Sequence, residues 1–452
     1  MTTPRTLTFP RGFAWGAATS SYQIEGGVRE GGRGPSIWDT FSHTPGRIID
    51  GSTGDTTCDH YYRFEADLDL MRSLGLQHYR FSIAWPRIFP VSSGTPNPAG
   101  LDFYDRLVDA MMSRGIEPYA TLYHWDLPLP LQDAGGWTNR DTAMRFVDYA
   151  RTVTEHLGDR VKHWMTHNEP WVSAFVGNLF GAHAPGLTDL RTALQVAHVI
   201  MLSHGLAVPV IRSAGGVGAR VGIVQNLEWV EPASSSPEDI AAARRHDGAF
   251  NRWFLDPLFK GGYPADMREW YGADAPDVRP GDMEAMRTPI DFLGINYYTR
   301  RIIAHDRKGD FLHVRKVAWP FVPRPGYEEW EINPEGLYRL LVRVNADYGR
   351  PAIYITENGT PLDDLPGADG AVHDEARIQY LSRHAAAVWQ AIKDGADVQG
   401  YFTWSFMDNF EWNLGFTKRF GLVHVDFATQ ARTVKDSGRW YARLCRENAF
   451  PI

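Results

Sequence analysis

Two short stretches of the chain end in a glutamate placed for acid–base chemistry. In Ile353-Tyr354-Ile355-Thr356-Glu357-Asn358-Gly359, the run Ala352 to Thr356 is β-branched and aromatic, is bounded by Pro351 and Gly359, and reads as a buried parallel strand. Taken alone, Glu357 could equally be a strand-end carboxylate paired with a neighbouring arginine. A second strand-like run, Val161-Lys162-His163-Trp164-Met165-Thr166-His167-Asn168-Glu169-Pro170-Trp171, also ends in a carboxylate and is stopped by proline. The two glutamates are 188 residues apart, so only a closed fold with several intervening strand and helix units can bring them face to face. Two opposed carboxylates are what cleavage of a glycosidic bond requires: one protonates the departing oxygen and the other meets the positive charge that develops at the anomeric carbon.

The remaining periodicity describes elements able to position such a pair. Strands are expected at Phe13 to Thr19, His78 to Trp85, Pro118 to Trp125, Val221 to Asn226, Asp291 to Tyr297 and Val398 to Ser405, besides the two glutamate-bearing runs. Helical spacing covers Tyr62 to Leu74, Leu101 to Arg114, Asp141 to Leu157 (started by Thr138 or Asn139), Leu190 to Arg212, Ala241 to Phe254, Pro334 to Tyr348 and Glu375 to Lys393. Eight strands separated mostly by helices point to an α/β chain folded as a (β/α)₈ TIM barrel, with the active site at the carboxyl ends of the strands. Periodicity alone also allows a doubly wound sheet. Residues 26 to 60, rich in Gly, Asp, Ser and Thr, read as a long surface loop. Arg80, inside an otherwise apolar strand, needs a buried partner, for which Glu357 is a candidate. Gln23 carries an acceptor and two donors suited to bridging adjacent hydroxyls, although a structural hydrogen bond is an equal reading.

Composition narrows the function classes. The 452 residues read as one barrel domain, 1–452, because no Gly/Ser linker or charge block divides them. A formal charge of −8 leaves no basic footprint for nucleic acid and makes a polyanionic ligand a poor match. Only Cys58 and Cys445 are present, which argues against a disulfide framework and a cysteine-based metal site. His163 and His167 on a strand, and His43 and His60 in a loop, are read as non-metal histidines. Met1 to Gly12 has no apolar leader core, no run reaches the length of a membrane span, and the cytoplasm is the expected location. The 16 Trp, 19 Tyr and 23 Phe can stack on sugar C–H faces, though ordinary core packing accounts for most of them.

With these residues assembled, the chain resembles glycoside hydrolase family 1, the retaining β-glucosidase and β-galactosidase family. The resemblance runs from Phe13-Ala14-Trp15-Gly16-Ala17-Ala18-Thr19-Ser20-Ser21-Tyr22-Gln23-Ile24-Glu25-Gly26 through Tyr79-Arg80-Phe81-Ser82, His124-Trp125-Asp126-Leu127-Pro128 and Asn168-Glu169-Pro170. It continues through Asn296-Tyr297-Tyr298, Thr356-Glu357-Asn358-Gly359 and Trp404-Ser405-Phe406-Met407-Asp408-Asn409-Phe410-Glu411-Trp412. It implies that Glu169 is the acid/base and Glu357 the nucleophile, at the ends of the fourth and seventh strands. Arg80 and Tyr298 would donate to Glu357, and Asn296 would support the pair. Gln23, His124, Asn168 and Glu411 would bind sugar hydroxyls, Trp412 would add a hydrogen bond, Trp404 would stack beneath the ring, and Trp125 and Phe420 would complete the wall.

Glu411 implies an unphosphorylated substrate, because its carboxylate would repel a phosphate on the 6-position; phospho-glycosidases of the family usually have serine there with a lysine nearby, and Lys418 is the nearest lysine here. Departures from the pattern are His167, which alternation points away from the side of Asn168, together with Leu129-Pro130-Leu131 and Thr360-Pro361 near the aglycone entrance. The expected protein is an exo-acting retaining β-glycosidase, most readily a β-glucosidase with galactosidase or fucosidase side activity. It would need no cofactor, and its partners would be β-glycosides and oligosaccharides, with no nucleic acid and no membrane. Transfer of the sugar to an alcohol, or glycan binding without catalysis, are the rival readings.

Overall fold

Eight runs of five to seven residues, nearly all of them buried, form parallel strands: β1 (Ala14–Ala18), β2 (His78–Ser82), β3 (Glu117–Tyr123), β4 (His163–Asn168), β5 (Arg220–Asn226), β6 (Phe292–Asn296), β7 (Ile353–Asn358) and β8 (Val398–Trp404). In the computed structural model, which describes residues 6–91, 94–318 and 330–452, they close into one barrel. Neighbours in sequence are neighbours in space, and β8 closes the ring on β1 through Gly400↔Ala14 and Trp404↔Ala18. A parallel barrel has no free edge and buries both strand faces, so apolar runs suit every position.

A main helix follows each strand, with shorter helical turns in the connections: α1 (His60–Ser73), α2 (Pro98–Ser113), α3 (Arg140–Leu157), α4 (Leu190–Ala214), α5 (Pro237–Asp247), α6 (Pro334–Asp347), α7 (Glu375–Lys393) and α8 (Asp436–Glu447). Several starts are written in their caps. The Asn139 side chain accepts from the Asp141 N–H at 3.0 Å at the head of α3, and Ser236 accepts from Asp239 ahead of Pro237 in α5.

Two apolar clusters divide the interior. The larger fills the space between strands and helices, with Trp85, Phe103, Phe146 and Trp253 among its fully buried members. The smaller includes Ala18, Tyr119, Met165, Val224, Phe292, Tyr354 and Phe402, one or more from every strand except β2, and therefore fills the barrel. On β2 the position in register with Ala18 and Tyr119 belongs to Arg80. A guanidinium thus takes the place of an apolar side chain in the inner layer.

Three expectations need correction. Residues 26 to 60 are not surface loop throughout: Ser36 and Asp39 form a capping box at the start of the short helix Ile37–Ser42, whose Ile37, Trp38 and Phe41 are buried. The polar composition hid three apolar anchors. The helix placed at Ala241 to Phe254 is two, α5 and Trp253–Phe259, separated by a wide turn at Gly248–Arg252. One run does reach the length of a membrane span: α4 is the one helix among the described residues that is long and apolar enough, and 78% of its apolar window is buried inside the fold. Apolar residues all around a helix are what a position between barrel and outer helices demands. Of Met1 to Gly12, the first five residues lie outside the described residues.

Candidate active site

Both glutamate-bearing strands lose regular register at their carboxyl ends. The ladder between β4 and β5 shifts between Met165 and Asn168, and the ladders of β7 with β6 and β8 shift between Ile355 and Glu357 and between Ile355 and Asn358. Such irregularities re-aim side chains at barrel rims. Glu169 itself has a φ of 48°, in the left-handed region, as do Trp125 (77°) and Trp412 (51°). These are sparsely populated conformations for large side chains and cost roughly 1–3 kcal/mol each, so tertiary packing must impose them. Gly359 lets the chain leave Glu357 pressed against β8, since a side chain there would collide with the Trp404 carbonyl oxygen.

Arg80 organises the floor. Fully buried, it donates from Nη1 to Glu357 Oε1 at 2.6 Å and to the Thr356 carbonyl at 3.2 Å, from Nη2 to Asn168 Oδ1 at 2.7 Å, and from Nε to Thr121 Oγ1 at 3.2 Å. The partner inferred for it is present. The Tyr298 hydroxyl donates to the other oxygen, Glu357 Oε2, at 2.7 Å. Among the described residues Glu169 receives one side-chain donor, Asn296 Nδ2, at 2.7 Å, and the same nitrogen reaches Asn168 Oδ1 at 3.1 Å. The Asn296 amide is itself oriented by Thr356 Oγ1, which donates to its Oδ1 at 2.7 Å. Asn168 Oδ1 is therefore a common acceptor for the group holding Glu357 and the group holding Glu169.

The electrostatics follow from this wiring. Burial first, and the negative charge of Glu357 second, push the Glu169 carboxyl up to about 8 against the opposing hydrogen bond from Asn296. Burial and then Glu357 hold the Tyr298 phenol protonated, well above its ordinary range. Burial and the nearby Arg80 charge pull His124 well below the usual imidazole range, so its ring is neutral where Nε2 meets Asn168 Nδ2 at 3.1 Å.

Above this floor opens a cavity of about 720 Å³. Of the residues expected there, His124, Trp125, Glu169, Asn296, Tyr298, Glu357, Trp404, Glu411, Trp412 and Phe420 line it. Arg80, Asn168 and Gln23 lie buried outside that lining. The Gln23 amide donates to Asn409 Oδ1 at 2.9 Å and the Phe410 carbonyl at 2.8 Å, and it approaches Glu411 Oε2 at 3.5 Å, so it fastens the loop that carries Glu411. His167 points to the opposite side of β4, where its Nε2 meets Ser203 Oγ at 2.8 Å and its ring stacks on Phe146. Among the described residues no group of three or more His, Cys, Asp or Glu side chains is arranged to hold a metal.

The cavity is also lined by residues that motif reading missed: Trp171, Phe180, Asn226, Glu228, Phe250 and Arg301. Arg301 donates to Glu228 at 2.8 Å and His246 lies 3.1 Å from its other oxygen. One signal was available, because Asn226 ends β5 and Glu228 follows it, at the strand end where barrels place functional groups.

Comparison with known proteins agrees with this geometry. The sequence pattern of "Glycosyl hydrolase family 1" matches residues 5–450. "Beta-glucosidase A" of Thermotoga maritima is 47% identical over 448 residues, covering 98% of each chain, and "1,4-beta-D-glucan glucohydrolase" of Thermotoga neapolitana is 47% identical over 98% of this chain and 99% of that one. The solved family 1 β-glucosidase from Thermotoga maritima matches with a TM-score of 0.96 at 46% identity, covering 99% of both chains. A closed eight-stranded barrel, two carboxylates at the ends of its fourth and seventh strands, and likeness along almost the entire length lead to one assignment: this chain belongs to glycosyl hydrolase family 1.

Proposed function

We propose that the protein is a retaining, exo-acting β-glucosidase that removes terminal, unphosphorylated β-D-glucosyl residues from glycosides and oligosaccharides, with Glu357 as nucleophile and Glu169 as acid/base. The observation that carries the assignment is the unequal wiring of the two carboxylates. Glu357 accepts from a guanidinium and a phenol, donors that stabilise a carboxylate ready to attack, whereas Glu169 is buried with one amide donor and titrates at about 8.

In the first step a Glu357 oxygen bonds to the anomeric carbon as the glycosidic C–O bond breaks, and Glu169 gives its proton to the departing oxygen. The ester so formed has no negative charge, which removes one of the three causes that raise Glu169, burial and the charge of Glu411 being the others. Glu169, now a carboxylate, takes a proton from water; the water oxygen bonds to the anomeric carbon and Glu357 leaves as a carboxylate. His124, Glu411 and Trp412 line the cavity where sugar hydroxyls would lie, and Trp404 gives the ring a flat face. Asn168 and Gln23 are kept as hydroxyl-binding residues on the family resemblance, with both buried outside the cavity lining. Glu411 supports the choice of an unphosphorylated sugar. The apolar side chains Trp171, Val176, Phe180 and Phe250 in the cavity lining favour transfer to alcohols as a secondary outcome of the same intermediate. We read residues 1–452 as one catalytic unit working in the cytoplasm, a location supported by the two free cysteines.

The test is stereochemical. Glu357→Ala given azide and an activated β-glucoside should yield the α-glucosyl azide, and Glu169→Ala should yield the β-azide. The reverse pattern would exchange the roles, and no azide product from either variant would remove the covalent mechanism.

A further inference from the structure

The segment from Trp404 to Phe420 supplies Trp404, Glu411, Trp412 and Phe420 to the catalytic cavity. Its two ends run side by side: the Ser405 N–H donates to the Phe420 carbonyl at 3.2 Å, and the Leu422 N–H donates to the Ser405 carbonyl at 3.0 Å. Between them sits Asp408, fully buried, whose Oδ1 accepts from the Gly421 N–H at 2.9 Å and whose Oδ2 accepts from Arg419 Nη1 at 2.9 Å. The approach is close enough that a side chain at position 421 would meet the Asp408 backbone nitrogen at 2.2 Å. One carboxylate therefore closes the base of the loop that carries Glu411.

That base is tied to the segment that leaves Glu357. Lys435, fully buried just ahead of α8, donates from Nζ to Asp408 Oδ1 at 2.9 Å and to Asp364 Oδ2 at 2.7 Å. Arg377 of α7, also buried, makes a second bridge between the same two stretches of chain. It donates to the Thr360 carbonyl and to Asp364 on one side, and to the carbonyls of Arg419 at 3.0 Å and Phe420 at 3.2 Å on the other. Asp374 accepts from its Nε at 3.0 Å. The loop bearing Glu411 and the chain leaving Glu357 are thus joined by buried cations, each hydrogen-bonded to both.

Buried ion pairs add little net stability over apolar packing of the same volume, so stability is a poor reason for a lysine here. What such a bridge adds is direction: a hydrogen-bonded network fixes the distance between the groups it joins, and misplacing a site group by about 1 Å can cost about 10²-fold in rate. We propose that Lys435 is a positioning residue which, through Asp408 and Asp364, holds Glu411 at a set distance from Glu357 and so sets how strongly the enzyme prefers a sugar bearing a hydroxymethyl group. The inference deepens the β-glucosidase reading and rests on it, with Glu411 facing the 6-position of the sugar.

The test is the ratio of kcat/KM for nitrophenyl β-glucoside to that for nitrophenyl β-xyloside, which lacks the hydroxymethyl group. The ratio does not depend on the fraction of enzyme that is folded, so a loss of stability alone leaves it unmoved. Glu411→Ala should lower it about 10- to 100-fold, the effect of losing a hydrogen bond to a charged group. Lys435→Met keeps the stem, removes the ammonium and displaces Glu411 without deleting it, so the ratio should fall about threefold to tenfold. Asp364→Asn, on the segment opposite Glu411, should lower it about twofold to fivefold and decides alone if Lys435→Met does not fold. A ratio lowered by Glu411→Ala but unchanged by the Lys435 and Asp364 variants overturns the positioning role and leaves the β-glucosidase reading standing. A ratio that Glu411→Ala does not move removes the contact on which the role rests and overturns it as well. Wild-type enzyme that leaves the glucoside uncleaved overturns the β-glucosidase reading, and the positioning role with it.

Discussion

At the carboxyl end of β7, Glu357 receives a guanidinium and a phenol hydroxyl; at the carboxyl end of β4, Glu169 receives a single amide. The two strand ends otherwise share their design, each with a register shift that turns a buried glutamate toward the cavity. The difference shows that position alone does not set a carboxylate's role. Cationic and phenolic donors bond one, while burial near a like charge raises the pKa of its neighbour.

The contrast breaks most severely if Arg80 can be dispensed with. Arg80→Leu should lower stability by about 3–5 kcal/mol, because it strands Glu357 without its buried counter-ion, and should nearly abolish turnover; an unchanged denaturant midpoint would contradict the wiring. Glu169→Ala should slow hydrolysis of glucosides with poor leaving groups by about 10²–10⁴-fold while sparing the first step for dinitrophenyl glucoside, as single-turnover kinetics would show. Tyr298→Phe removes one hydrogen bond to a charged group, so kcat should fall about 10- to 100-fold with the fold intact by circular dichroism. The smallest effect is a shift in titration. In the proposed mechanism Glu169 must be protonated to act as acid, so the first step should decline as pH rises through about 8. In Glu357→Gln, loss of the second cause should move the Glu169 titration downward, with burial still holding it above the ordinary carboxylate value. Carbon-13 NMR of labelled glutamate would follow the shift, and an unmoved midpoint would mean that the charge of Glu357 does not contribute.

Much of the barrel was legible because parallel strands buried on both faces are short apolar runs, and all eight lie where such runs predict them. The pair Arg80 and Glu357 was legible for another reason: a charge inside an apolar run demands a partner. Gln23 shows the limit of residue type, which offered a structural hydrogen bond and a sugar contact as equal readings; the structure shows the structural bonds, to Asn409, Phe410 and Glu411. Trp38 and Trp171 were illegible because they lie in long connections without periodicity, where a buried tryptophan and a cavity-lining one read the same. The helix α8 was likewise missed, although it completes the alternation.

A single oxygen, Oδ1 of Asn168, takes hydrogens from both Arg80 and Asn296. Replacing either neighbour therefore loosens the other's anchor, and the penalties of the two replacements should overlap instead of summing. Sequence drift at this place is thus constrained in concert: once one of the three has changed, the remaining two lose part of the reason to stay as they are.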